Sequence, residues 1–115
     1  MMVTSRWLES LLSGCIVAGR RPVSRMADEM LNWPGATVEL SNDPQQAGDE
    51  LEALLARNDT LASQRRSNMF HTLSQHDWRY RISALCAMWQ LPEPAALRDD
   101  LALLQQLGAV YAPAP

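Results

Sequence analysis

The chain has 115 residues with no lysine, a single phenylalanine, two cysteines and no apolar run long enough to span a bilayer. A span needs about 20 consecutive apolar residues, and the longest candidate, Leu11 to Ala18, is broken by Ser13-Gly14 and followed by Arg20-Arg21. A secretory leader would carry basic residues ahead of its apolar stretch, not behind it. A cytoplasmic location is therefore expected. With only Cys15 and Cys86, far apart in sequence, there is no disulfide framework, and both fall within apolar helical patterns that predict buried, reduced thiols. All ten basic residues are arginine against thirteen acids, giving a net charge of -3. Composition thus supplies no general attraction to nucleic acid or anionic lipid, and protein partners are expected.

What is present is a hydrophobic content of 47%, enough apolar surface to offset chain entropy and exclude wholesale disorder. The length suits one domain. Thr4 or Ser5 can cap a first helix carrying Trp7, Leu8, Leu11, Leu12, Cys15 and Ile16 and ending at Gly19. Pro22 fits the first turn of a second helix with Val23, Met26, Ala27, Met30 and Leu31, stopped by Asn32-Trp33-Pro34-Gly35. The segment Ala36–Leu40 is ambiguous, with Thr37 and Val38 favouring an extended form. Asp43-Pro44 starts a third helix with Leu51, Leu54 and Leu55; Asn58-Asp59 stops it, and Thr60 caps a fourth over about Leu61–Leu73. Asp77 caps a fifth with Ile82, Leu85, Cys86 and Trp89. Leu91-Pro92-Glu93-Pro94 turns into a sixth with Leu97, Leu101, Leu104 and Leu107, ended by Gly108. The expected organisation is one helical domain over residues 1–108 and an irregular tail over 109–115.

The helices carry an internal period. A shift of 34 places Asp43 on Asp77, Leu51 on Leu85, Leu54 on Met88, Leu55 on Trp89, Met69 on Leu103 and Leu73 on Leu107. A helix-turn-helix unit of that length is characteristic of tetratricopeptide repeats. The first hairpin aligns with the second at a shift of 38, the Ala36–Leu40 segment absorbing the difference. The fold expected is all-α, three hairpins stacked as a short tetratricopeptide-like solenoid.

No constellation of catalytic or metal-binding residues stands out. His71 and His76 border a loop without further ligands at matching spacing, Asp77 is explained by capping, and no glycine-rich phosphate loop occurs. No enzyme activity, metal or cofactor is expected. The clusters Arg20-Arg21 with Arg25, Arg65-Arg66 and Arg79 with Arg81 read first as solvated faces, and otherwise as a surface for phosphate or acidic protein. Trp7 and Trp89 lie in apolar stripes and are expected in the core. Trp33 and Trp78 sit at helix boundaries, where indole rings serve either core or interface.

The segment Ala84-Leu85-Cys86-Ala87-Met88-Trp89-Gln90-Leu91, followed by Ala96-Leu97, Leu101 and Leu104, resembles the last hairpin of the small tetratricopeptide-like chaperones of bacterial type III secretion needle subunits. The Arg57-Asn58-Asp59 turn and the chain length agree, whereas Asn42-Asp43-Pro44 departs from that family. The resemblance implies a cytoplasmic, non-enzymatic chaperone that holds a self-polymerising needle subunit as a monomer, together with a second small helical co-chaperone in a hetero-oligomer. An alternative from another class is a small helical regulator that binds nucleic acid through an arginine-bearing hairpin.

In a stack of this kind the first helices of successive hairpins line the concave side. Leu54 and Met88 lie one position from the Leu55 and Trp89 pair, about 100° round the helix, which makes them candidate groove residues for partner binding. Leu11, Leu12 and Ile16 extend the groove, and Trp78 is the candidate aromatic contact. The competing expectation is that the five aliphatic residues pack between hairpins, as apolar side chains at helical spacing usually do.

Overall fold

The computed structural model describes residues 3–112. It is mostly helical, with a short parallel strand pair: α1 (Ser5–Leu12), β1 (Ala18–Gly19), α2 (Arg25–Met30), β2 (Val38–Glu39), α3 (Pro44–Leu55), α4 (Asn58–Gln75), α5 (Trp78–Met88) and α6 (Ala95–Tyr111). No helix among the described residues is long and apolar enough to cross a membrane.

The first hairpin is where the structure departs furthest from expectation. The helix expected to reach Gly19 stops at Leu12. Gly14 adopts a left-handed conformation with φ of 73°, and the Cys15 amide closes back onto the Ser10 carbonyl at 2.9 Å. That wide turn is how a glycine ends a helix. Cys15, Ile16 and Val17 then leave the helix and lead into β1. Ala18 pairs with Val38 and Gly19 with Glu39 in parallel register, so the ambiguous 36–40 segment contains, at Val38–Glu39, the second strand of a β-α-β unit. Its helix starts later than expected, at Arg25, because the Ser24 hydroxyl accepts from the Ala27 amide and sets the cap beyond the buried Pro22.

The remaining helices follow their start signals. Asp43 accepts from the Gln46 amide at 2.9 Å, and Asp77 accepts from the Arg79 amide at 2.9 Å. The 34-residue spacing of these caps is therefore realised in the starts of α3 and α5. α4 begins at Asn58, with Asn58 and Asp59 forming its first turn instead of ending α3 at a longer loop. α6 runs through Gly108 to Tyr111. Gly108 is a contact residue, since a Cβ there would lie 3.2 Å from Ser74 Oγ; it lets α4 and α6 approach closely and does not stop the helix. Of the expected irregular tail, Ala109–Tyr111 is helical, and residues 113–115 lie outside the described residues.

α4 is the hub. It packs most extensively on α6 and α1 and more lightly on α3, while α5 packs on α6. The principal helix contact thus joins α4 to α6, the second helices of the two later hairpins. α3 and α5 contribute no fully buried residue. The core gathers Leu11, Leu31, Trp33 and Ala36, with Trp7, Val17 and Met30 packed against it, and Leu97 and Leu104 bury the α6 side.

Polar groups along α4 fasten the β-α-β unit in place. Asn68, fully buried, accepts from Trp33 Nε1 and from Gln64 Nε2, each at 3.0 Å, and donates to the Cys15 carbonyl at 3.0 Å. Arg65 Nε donates to the Gly14 carbonyl at 2.8 Å, and Gln64 also donates to the Pro34 carbonyl. Gly35, at φ of 76°, lies directly under Gln64, whose amide a Cβ would strike. Gly35→Ala is accordingly expected to destabilise the protein by roughly 1–3 kcal/mol, from the left-handed backbone and the displaced amide together; a drop in the thermal midpoint checks this.

Candidate functional site

Two adjacent parallel strands end on the same side, and the loops leaving them form a mouth there. Arg20 and Arg21 come directly after β1, and Leu40 and Asn42 come after β2. With Pro22, Val23 and Glu39 they line a cavity of about 560 Å³. Ligands of open α/β units bind outside the carboxyl ends of the strands, where loops rather than ladder bonds present the backbone. Arg21 is anchored there: its Nη2 donates to the Leu31 carbonyl at 3.0 Å and reaches Asp28 at 3.4 Å, while its Nε is buried without a hydrogen-bond partner. Arg20 is exposed. The mouth therefore places the exposed guanidinium of Arg20 beside Arg21, whose own guanidinium is committed to Leu31 and Asp28, with the Glu39 carboxylate and the Asn42 amide on the opposite lip; Arg20 is the group free to meet an anion.

A second cleft, of about 330 Å³, opens between α1 and the α4–α5 junction, with Leu8, Leu12 and Leu73 as apolar walls and Glu9, His76 and Trp78 among its borders. Behind it, Trp33 is stacked on His71 with ring centroids 5.0 Å apart and lies 5.9 Å from His76. Burial lowers the pKa of both histidines below the ordinary imidazole value; at His76 the Met30 carbonyl opposes this, and Arg81 and His71 reinforce it. A folded state that resists protonation binds fewer protons than the unfolded chain. Stability is then complete above the unfolded value of about 6.5 and falls as pH drops below it. Thermal midpoints measured from pH 8 down to pH 5 are expected to hold until about pH 6.5 and to decline below it, and to decline less in His76→Gln.

The residues expected to bind a partner are dispersed. Leu11 is fully buried in the core and cannot line a groove, because the early stop of α1 turns it onto Leu31 and Trp33. Leu12 and Trp78 border the α1–α5 cleft. Ile16, on the extended segment before β1, and Leu54 share a different hollow between α3 and α4. Met88 stands exposed on α5 and lines neither of these hollows. Trp89, expected in the core, is 63% exposed, since α5 packs on α6 along one side only. Of the other tryptophans, Trp33 is core and Trp78 is surface. Cys15 is exposed because it lies beyond the end of α1, and Cys86 is half-buried.

Sequence reasoning missed the mouth. Arg20-Arg21 reads first as a solvated face and otherwise as a surface for phosphate or acidic protein, and only the pairing of β1 with β2 brings Glu39 and Asn42 beside the pair. The signal was in the sequence all the same: Gly14 ends a helix, and the short stretch from Cys15 to Gly19 can extend.

The chain belongs to the glycosyl transferase-like family, whose model matches residues 1–87. The match takes in the β-α-β unit, the mouth and the residues of the second cleft, and leaves α6 outside. No curated protein and no solved structure matches the chain.

Proposed function

We propose that this chain serves glycosyl transfer, and that the mouth at the carboxyl ends of β1 and β2 holds the anionic part of an activated sugar. Sugars are commonly activated as phosphate esters, whose negative charge must be met when the glycosidic bond is exchanged. Arginine meets it without changing protonation and with a planar fork that matches phosphate oxygens. The observation that carries the reading is the placement of Arg20 and Arg21 just after one strand of a parallel pair, opposite Leu40 and Asn42 after the other. Family membership supports it. The expectation of a non-enzymatic protein rested on the lack of a local motif and on the chaperone resemblance; a site assembled from two strand ends leaves no local motif.

Calorimetric titration of the full chain with uridine diphosphate and guanosine diphosphate tests this, with inorganic phosphate and an unphosphorylated sugar as comparison probes. A diphosphate is expected to bind, and Arg20→Ala to weaken it about tenfold or more, the worth of one charge-assisted contact. Arg20 is the cleaner position because Arg21 also supports the Leu31 carbonyl. Equal affinity in Arg20→Ala and the parent chain would overturn the assignment.

A second reading, the chaperone of a type III secretion needle subunit, draws support from the exposed apolar side chains of the later hairpins, Leu55, Met88, Trp89 and Val110 among them. Under that reading α3–α4 and α5–α6 act as a short tetratricopeptide-like stack, and a helical hairpin subunit covers those side chains. A discrete heteromer formed with a needle subunit, in the absence of any diphosphate binding, would select it.

A further inference from the structure

β1 is paired on one side only. The Val38 amide donates to the Val17 carbonyl at 2.9 Å, and successive residues of a strand direct their backbone groups to opposite edges. The N–H and C=O of Ile16 and Ala18 therefore point away from β2. The side-chain donors of α4 stop short of them, since Arg65 takes the Gly14 carbonyl and Asn68 the Cys15 carbonyl. Among the described residues no backbone group meets Ile16 or Ala18 on that edge, and Ala18 is exposed. An exposed edge is ordinarily defended by a charge, a proline or a bulge. β2 carries the exposed Glu39 on its outer side, whereas the chain from Ser10 to Gly19 holds no charged residue and no proline.

Both faces of this edge have room for side chains. On the face of Ile16 and Ala18, a hollow of about 330 Å³ is walled by Leu51, Leu54 and Leu55. On the opposite face, Val17 shares a hollow of about 150 Å³ with Trp7 and Arg6, and Arg6 forms no ion pair among the described residues. Strand residues alternate between faces, so a further strand beside β1 would send every second side chain into one hollow and the others into the opposite one. We infer that the free edge of β1 is a docking site for an extended segment of another polypeptide. Its main chain bonds to Ile16 and Ala18, its apolar side chains enter the hollow beside α3, and an acidic side chain meets Arg6. Main-chain bonds supply the attachment and the hollows supply the selectivity. A second copy of this chain is a poorer fit, because its own β1 is Ala18–Gly19, too small to fill the larger hollow. The inference goes beyond the glycosyl-transfer reading and does not rest on it.

The test is amide hydrogen exchange, read by NMR on the full chain, as a capped heptapeptide alternating leucine with threonine and glutamate is added. The same peptide N-methylated at every amide serves as the control that keeps its side chains and loses its donors. Exchange at the Ala18 amide is expected to slow about tenfold or more with the first peptide, the worth of one added strand bond, and to stay unchanged with the second. The Val38 amide, already bonded within the strand pair, should not respond. Leu55→Glu, at a side chain 66% exposed, should weaken peptide binding about tenfold and keep the circular dichroism of the parent chain. Ala18→Pro should do the same, because it removes a donor that makes no bond to β2. Four results would overturn the assignment. These are an Ala18 amide unaffected at about millimolar peptide, equal binding of the N-methylated peptide, undiminished binding to Leu55→Glu, and a dimer of the chain alone in which the Ala18 amide is already protected.

Discussion

Replacing Asn68 with leucine is expected to lower the unfolding free energy by roughly 2–5 kcal/mol, a large part of the stability of a domain this size. The substitution matches volume, so the loss is one of hydrogen bonds. It strands the indole N–H of Trp33 and the Cys15 carbonyl at the junction between α4 and the β-α-β unit, and leaves the Gln64 amide with the Pro34 carbonyl alone. A buried donor or acceptor left unpaired costs about 1–3 kcal/mol, and the Trp33 group has no route to water because the ring is buried. Urea unfolding followed by tryptophan fluorescence measures the change. A loss under about 0.5 kcal/mol, the usual range of neutral surface substitutions, would mean that the clamp on α4 contributes little.

Leu11→Ala is expected to cost roughly 2–5 kcal/mol, the range for a buried leucine truncated in a core that cannot collapse around the gap. Leu11 is fully buried with Leu31, Trp33 and Ala36. Met88→Glu, by contrast, is expected to change stability by less than about 0.5 kcal/mol, because the side chain is 64% exposed and loses little packing. The pair separates the two kinds of apolar position that helical spacing alone cannot distinguish. Similar losses at both sites would place α5 within the core and contradict its one-sided packing on α6.

The helical part of the fold was largely legible because its start signals are local. Asp43 before Pro44, and Asp77 before Trp78, each satisfy an orphan amide whatever surrounds the helix, and both do so in the structure. The first 40 residues were harder for a physical reason. Trp7, Leu8, Leu11, Leu12, Cys15 and Ile16 keep helical spacing through Gly14, so the periodicity continues across the point where the backbone turns left-handed and leaves the helix. Strands of two residues offer too few positions for alternation to register, and their pairing depends on α4 holding both loops from a distance in sequence. Gly108 misled in the opposite sense, since a glycine that admits a neighbouring helix and one that ends its own look alike in sequence. The candidate site was illegible for the same reason as the strands: Arg20 and Arg21 become a site only when Glu39 and Asn42 are brought beside them.

The most direct measurement is a map of backbone amide shifts in the isotope-labelled full chain as uridine diphosphate is added. The perturbed amides are expected to cluster at Arg20, Arg21, Val23, Leu40 and Asn42, around the carboxyl ends of β1 and β2, and Arg20→Ala is expected to remove the response. Shifts confined to the exposed faces of α5 and α6, or none while the diphosphate is in large excess, would contradict a diphosphate site at the strand mouth.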